Sequence, residues 1–513
     1  MSDWSHGYNV TLGYTYGFYR ELAPDWLDMC ARIMGYMPPS RGADGGFRYL
    51  ELGSGQGVGL CLLAAANPNA EFVGVDFNPE HIAHSNGLAI ATGLTNIRFI
   101  EGDFAELGAN WPNALGQFEY VALHGILSWV PTTVRRALVR CLDKAVPPGG
   151  LVYTSYNAQP GWVSTLPFQH MARRLQVVGA RAGDKAIDDA VALFERLGNV
   201  NSTIFRVLPT LKNRIDSVRT QNRNYLVQEY LHESWHPFWF SQVANELGEA
   251  KLNHVASATV AELMLPNVLP NEIRDIITAE TDPVLRQEIQ DCAINQSFRR
   301  DIFCRGARRG FGSGFELAMG TIMTLLASPS DDPFKVTTTF GELAIKRDVY
   351  EPIVAALQSG PKTLGELMKN PNIARQGQTG VVQTLVLLLQ AGIAGVGRAT
   401  TANPEVAQRF NAAIARAVSG GAPYTFLAAP SLGSALSASD IDCMLLDAWF
   451  EKPGLPETEL GDGLRKRLAK LGRSLAHDGQ RLDGEALDER IASMAGVFLQ
   501  SSVDRWRKLG VLG

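Results

Sequence analysis

The segment that most constrains this chain is Glu51-Leu-Gly-Ser-Gly-Gln-Gly57. It is a glycine-rich turn set between a short apolar stretch (Arg48–Leu52) and a helix-forming one (Val58–Ala66, stopped by Asn67-Pro68-Asn69). A strand running into such a turn and out into a helix opens a nucleotide-binding α/β sheet. The residues that follow keep the alternation. A strand over Glu71–Val75 ends on Asp76, and Pro79 starts a helix reaching about Thr92. A strand over Ile97–Ile100 ends on Gly102-Asp103-Phe104, and one over Glu119–Leu123 ends on His124-Gly125. A helix over Thr132–Ala145, closed by Pro147-Pro148-Gly149-Gly150, precedes a strand over Leu151–Tyr156. This spacing predicts a doubly wound, Rossmann-like parallel sheet with right-handed crossovers.

The glycine spacing narrows the ligand. A dinucleotide turn needs glycines at its first, third and sixth positions. Counting six from Gly53 gives Val58, and from Gly55 gives Leu60. Here the glycines fall instead at alternate positions (Gly53, Gly55, Gly57), separated by Ser54 and Gln56 and preceded by Glu51. A carboxylate there repels a pyrophosphate but helps hold a cationic sulfonium cofactor and its ammonium group. Asp76, with Phe77 beside it, ends the second strand where an acid can accept ribose hydroxyls. Asp103 ends the third, placed toward an adenine amino group, with Phe104 to cover the purine. Each aspartate alone could be a helix cap; the three strand ends in order predict S-adenosylmethionine, and no metal.

At 513 residues the chain exceeds one hydrophobic core. Residues 1–45 read as an aromatic lid and helix (Asp25–Tyr36), and 46–162 as the cofactor-binding core. Residues 163–250 read as a helical insertion beginning a second domain. Residues 251–327 hold the last two strands of the same sheet (Leu252–Ala258, Phe298–Arg305) with the remainder of that domain. After a linker (Ser328–Pro333), 334–400 resembles a winged helix: helices at Leu343–Leu357, Thr363–Lys369 and Val381–Ala391, and a hairpin wing at Gly392–Gly397. Its recognition-helix candidate is almost wholly apolar, which fits a protein-binding or dimerisation element better than a major groove. Residues 401–513 read as a helical C-terminal domain, in which Gly463–Ala476 is basic and amphipathic.

The six scattered cysteines form no C-x-x-C pair and fit buried thiols in a reducing cytoplasm. The N-terminus lacks a secretory pattern, and no apolar run approaches the ~18 residues of a membrane span. A net charge of −5 gives no global pull toward nucleic acid.

Residues 46–160 resemble the class I methyltransferases. A closer resemblance rests on Gly13–Leu22 (GYTYGFYREL), Leu123–Val130 (LHGILSWV), Ser155–Trp162 (SYNAQPGW), Tyr225–Leu231 (YLVQEYL) and Phe298–Arg305 (FRRDIFCR). These are similar to bacterial methyltransferases carrying a methyltransferase regulatory domain, a family that includes protein-lysine methyltransferases of outer-membrane proteins. The resemblance implies an enzyme transferring methyl groups, with the helical insertion as part of the regulatory domain.

The crevice of such folds lies beyond the carboxyl ends of the strands. There the fourth strand delivers His124, Ser128 and Trp129, and the fifth Tyr156, Asn157 and Trp162. The N-terminal segment adds Tyr8, Tyr14, Tyr16 and Tyr19. His124, Tyr156, Tyr14 and Trp129 are the candidate catalytic set, with His124 serving either proton transfer or loop orientation. The chain has Leu123-His124-Gly125-Ile126 where base and glutamine amino-methyltransferases carry Asn/Asp-Pro-Pro-Tyr/Phe, which argues against DNA. Three readings stand: a protein-lysine methyltransferase, a small-molecule, lipid or glycan methyltransferase, and a non-catalytic S-adenosylmethionine-binding regulator.

Overall fold

A computed structural model describes residues 16–221, 223–329, 332–399, 403–477 and 480–513. Tyr8 and Tyr14 lie outside the described residues.

Seven strands form the central sheet: β1 (Arg48–Leu52), β2 (Glu71–Asp76), β3 (Ile97–Glu101), β4 (Tyr120–Leu123), β5 (Leu151–Asn157), β6 (Leu252–Ser257) and β7 (Phe298–Arg305). Their spatial order is β3-β2-β1-β4-β5-β7-β6. The first five run parallel, whereas β7 is antiparallel to both β5 and β6. The doubly wound class read from the sequence is thus the observed one. Strands β1, β4 and β5 are buried almost throughout because both faces of the sheet are covered. Helix Pro24–Ile33 and helix Val58–Ala66 pack on one face; Thr132–Ala145 and Phe240–Gly248 pack on the other.

Helix Val58–Ala66 (VGLCLLAAA) has no polar side, and all but Gly59 of its residues are buried. The reason lies far along the chain. Helix Pro404–Ser419 and the strand pair Phe426–Ala429/Ser434–Ser437 cover its outer surface. The C-terminal region is therefore packed against the element that the glycine turn opens.

Between β5 and β6 the chain forms helices from Leu166 to Tyr230, closed around Trp162, Phe168, Phe194 and Tyr230. Beyond β7, two expectations need correction. Phe334–Thr338 (β9) and Gly341–Ile345 (β10) form an antiparallel hairpin, and the helix begins only at Arg347. The β-branched run Val336–Thr339, with Phe334, Phe340 and Ile345 around it, favours a ribbon over the helix expected from Leu343. Nor is Gly392–Gly397 a hairpin. Ala394–Gly397 (β12) is one strand that pairs with Ile322–Leu325 (β8), and β8 also pairs with Lys362–Thr363 (β11). This sheet therefore joins residues on both sides of Ser328–Pro333. Helix Gly377–Gln390 buries Val381 and Thr384–Leu389, which is why its second half reads as almost wholly apolar. Among the described residues no helix is long and apolar enough to cross a membrane.

Candidate functional site

All three alternate glycines take positive φ: Gly53 +83°, Gly55 +52° and Gly57 +71°. Only glycine adopts this region without steric cost. Space is equally short. A Cβ on Gly53 would lie 2.2 Å from Ile126 Cδ1, and one on Gly57 would lie 2.4 Å from Ser85 Oγ. The turn folds back so that the Gly53 and Ser54 amides both donate to the Val75 carbonyl (2.8 and 3.0 Å).

Asp76, at the end of β2, is buried and holds the turn directly. Its Oδ2 accepts from the Gly55 amide (2.8 Å), and its Oδ1 accepts from the Asn78 amide (2.9 Å). His81 Nδ1 stands 3.2 Å from the same Oδ1. Asp103 Oδ1 caps helix Phe104–Ala109 through the Ala105 amide (2.6 Å) while also lining the cleft. Gly53, Gly55, Asp76, Phe77, His81, Asp103, Phe104 and His124 border a cleft of about 720 Å³, open mouth included. Trp129 and an apolar wall of Ile126, Val130, Pro131 and Val134 complete it. That wall comes from the turn and helix after β4, whose side-chain directions a linear reading does not supply.

Glu51 is buried, yet among the described residues no cation lies within ion-pair distance of it. Burial first, and Asp76 second, push its carboxyl up to about 8. Ser54 Oγ and Gln56 Oε1 are also buried without partners. A buried carboxyl group lacking a cation, beside orphaned polar atoms in a glycine turn, fits a cationic ligand with its own hydrogen-bonding groups. The Gln56 carbonyl is instead held by His84 Nδ1 (2.7 Å), whose Nε2 meets the Tyr424 hydroxyl (3.0 Å). Tyr16 rests against both of those rings. His84 and Tyr424 were not legible as site residues, since their meeting depends on C-terminal packing.

At the ends of β4 and β5, His124 is part-buried. Its Nδ1 lies 3.1 Å from both the Tyr153 hydroxyl and Ser155 Oγ, and Ser155 Oγ also accepts from the Gly125 amide (2.9 Å). The Tyr19 ring covers the imidazole at 4.0 Å. Burial, aided by the charge of Arg300, lowers the imidazole to about 3. A group so weakly basic is neutral at pH 7 and ill suited to take a proton. Of the two roles read from the sequence, orienting the loop is the one this environment fits.

Tyr156 requires a correction. It is fully buried in the opposite face of the sheet, and its hydroxyl donates to Asp301 (2.6 Å). Side chains alternate along a strand, so the crevice receives Tyr153 and Ser155, and Tyr156 points away. Trp162 likewise packs with Trp235 and Tyr230 in the insertion rather than in the crevice. Asn157 donates through Nδ2 to Glu229 (2.8 Å), and burial pushes that carboxyl up to about 7. Tyr156→Phe is expected to lose about 1.5–3 kcal/mol of stability, one buried hydrogen bond to a charged group, with turnover changed less than threefold. A hundredfold fall in turnover with unchanged melting would restore Tyr156 to the catalytic set.

Two family descriptions match the chain. "Methyltransferase domain" covers residues 43–177, and "Predicted methyltransferase regulatory domain" covers residues 222–305. A protein of the cyanobacterium Synechocystis, sll1526, is 31% identical over 99% of both chains. RP789 of Rickettsia prowazekii is 27% identical over 50% of this chain and 46% of its own. Among solved structures, PKMT2 from Rickettsia typhi in complex with AdoHcy superposes with a TM-score of 0.71, covering 97% of this chain and 99% of that one at 18% identity. The regulatory match contains β6 and β7 in full, so the residues bearing that name complete the catalytic sheet. The cleft at the glycine turn, the sheet and the full-length likeness agree: the chain belongs to the S-adenosylmethionine-dependent methyltransferases that carry a methyltransferase regulatory domain.

Proposed function

We propose that the cleft holds S-adenosylmethionine and that the crevice beside His124 admits a lysine side chain of a protein substrate. When bound, the cofactor supplies an electrophilic sulfonium methyl. In this reading Glu51 receives the cofactor's ammonium group, with Ser54 and Gln56 meeting its polar atoms. Asp76 accepts from the ribose while keeping the turn in shape. Phe77, Phe104 and the apolar wall take the adenine, with Asp103 at its rim. Tyr19, neutral His124 and Tyr153 form the entrance for the acceptor, and Trp129 closes the side nearer the helix after β4.

The single observation that carries the lysine reading is this entrance of neutral aromatic rings (Tyr19, His124 and Tyr153) next to the cofactor cleft. A lysine of pKa ~10.4 loses about 4.6 kcal/mol in presenting its neutral amine at pH 7, and a dry aromatic site reduces that cost. In-line transfer needs little more than positioning once the amine is neutral. The designation of the Rickettsia typhi protein, PKMT2, marks it as a protein lysine methyltransferase and supports the same class here.

The test is incubation with methyl-labelled cofactor and cell extract, followed by separation of protein from small molecules and hydrolysis of the protein. Label in methylated lysine is expected. Label confined to the small-molecule fraction would overturn the reading.

The Glu51 assignment has its own pH signature. With its carboxyl near 8 in the free protein, Glu51 must lose a proton to pair with the cofactor ammonium. Affinity should therefore fall about tenfold per pH unit below 8. Above 8 the cofactor's own amino group (pKa ~7.7–8.0) loses its charge, and the gain stops. Calorimetry between pH 6 and 8 checks this. Glu51→Gln should flatten the slope, and a pH-independent affinity in the wild type would remove Glu51 from the role.

A further inference from the structure

The acceptor side of the crevice contains a cation that the scheme above does not use. Arg300, on β7, is the cross-strand partner of Ser155 on β5. Cross-strand partners share a face of the sheet, so Arg300 lies on the side that carries Ser155, Tyr153 and His124. Its hydrogen-bond set is poor. Nη1 has a long contact to Thr259 Oγ1 (3.4 Å), Nε is buried without a partner, and the guanidinium lies 4.9 Å from the Phe298 ring centroid. Among the described residues no carboxylate lies within ion-pair distance of it. Its neighbour Arg299, by contrast, is matched by Asp291 and Asp301 on the opposite face.

Among the described residues the surrounding charges do not cancel it. On the N-terminal turn, Glu21 faces Arg20 at 3.8 Å, and Arg20 also donates to the Leu389 and Gln390 carbonyls. On helix Pro24–Ile33, Asp25 and Asp28 are paired with Arg41. In the turn after β6, Glu262 is held by Ser257, Gln296 and Thr339. Tyr19 and Tyr153 are held protonated by burial, and His124 is neutral. Among the described residues nothing therefore compensates the positive charge that Arg300 brings to the β4–β5 end of the crevice.

We infer that Arg300 holds the incoming acceptor amine in its neutral, nucleophilic form by making the ammonium form unfavourable in the crevice. This rests on the lysine reading and adds its electrostatic device. A fixed cation near an amine lowers the amine's pKa, and low dielectric strengthens the effect. The acceptor ammonium gives a proton to water on entry. Its freed lone pair then forms the N–C bond as the C–S bond breaks, the bonding electrons stay on sulfur, and the methylated amine carries the positive charge out. Arg300 exchanges no proton and is an electrostatic, not a catalytic, residue.

The experiment is the pH dependence of kcat/KM for the extract protein that becomes labelled, with wild type, Arg300→Gln and Arg300→Lys. The glutamine variant should be about tenfold slower at pH 7 and should recover toward wild type above pH 9, its profile shifted upward by about one unit. Arg300→Lys, which keeps the charge, should follow wild type. A purely structural role would lower the rate by one factor at every pH and would not be rescued by lysine; either result overturns the inference.

A second readout needs no acceptor. NMR titration of His124 should show its pKa higher in Arg300→Gln than in wild type, and an unmoved titration means the charge does not reach the crevice and overturns the inference. If wild type labels no lysine at all, the functional reading itself falls. If it labels lysine with an unmoved profile, only the role of Arg300 falls.

Discussion

Asp76→Ala is expected to lower S-adenosylmethionine affinity by about 100-fold or more, measured by calorimetry on the full chain. The carboxylate is buried, and its two oxygens accept from the Gly55 and Asn78 amides while His81 approaches one of them. Hydrogen bonds to a charged group contribute about 1.5–3 kcal/mol each, and a buried donor left without an acceptor costs about 1–3 kcal/mol. Two such losses at the cofactor turn exceed the ~2.8 kcal/mol that corresponds to a hundredfold change in binding. Alanine also removes the acceptor proposed for the ribose. Asp76→Asn keeps one acceptor oxygen and should lose about tenfold. An alanine variant that binds within threefold of wild type would show that the turn keeps its shape without Asp76, and the cofactor assignment would fail with it.

Arg299→Ala should be among the most destabilising single changes in the chain, by about 3–5 kcal/mol in denaturant unfolding. Arg299 is 2% exposed and sits between Asp301 (2.8 Å) and Asp291 (2.5 Å), with Gln287 on its remaining nitrogen (2.9 Å). Burial alone would raise both carboxyls. Arg299 and His254 together outweigh it at Asp301 and hold that carboxyl below the usual range, whereas Asp291 stays raised to about 7. Deleting the guanidinium leaves Asp291 without its cation and Asp301 with only His254 and the Tyr156 hydroxyl beside it. Because β7 joins β5 to β6, the damage falls on the seam between the parallel half of the sheet and the strands of the regulatory match. A loss below 1 kcal/mol would mean that the cluster is not an integral part of that seam.

Much of the site was legible because its constraints are local. The three glycines must take positive φ within seven residues, and each acid ends its own strand. Asp103 shows the limit of that reading, since it is both a helix cap and a wall of the cleft. Tyr156 shows another. It lies one position from Ser155, and the pleat assigns alternate residues to opposite faces, so which of the two reaches the crevice depends on what packs against each face. The expected hairpin at Gly392–Gly397 failed because β12 finds its partner in β8, across the linker, and local turn signals carry no information about such pairings.

Arg300 and Glu51 mark the division most clearly. The sequence by itself determined a strand–glycine turn–helix unit, the order of the acidic strand ends and the class of cofactor, because backbone sterics and hydrophobic periodicity act over a few residues. Only the tertiary structure decided that, among the described residues, Glu51 would be buried without a cation and Arg300 would stand beside Ser155 without a carboxylate, and that Tyr19 would cover a neutral His124. Charge compensation and desolvation depend on every group within several ångströms, and folding brings those groups together from distant parts of the chain.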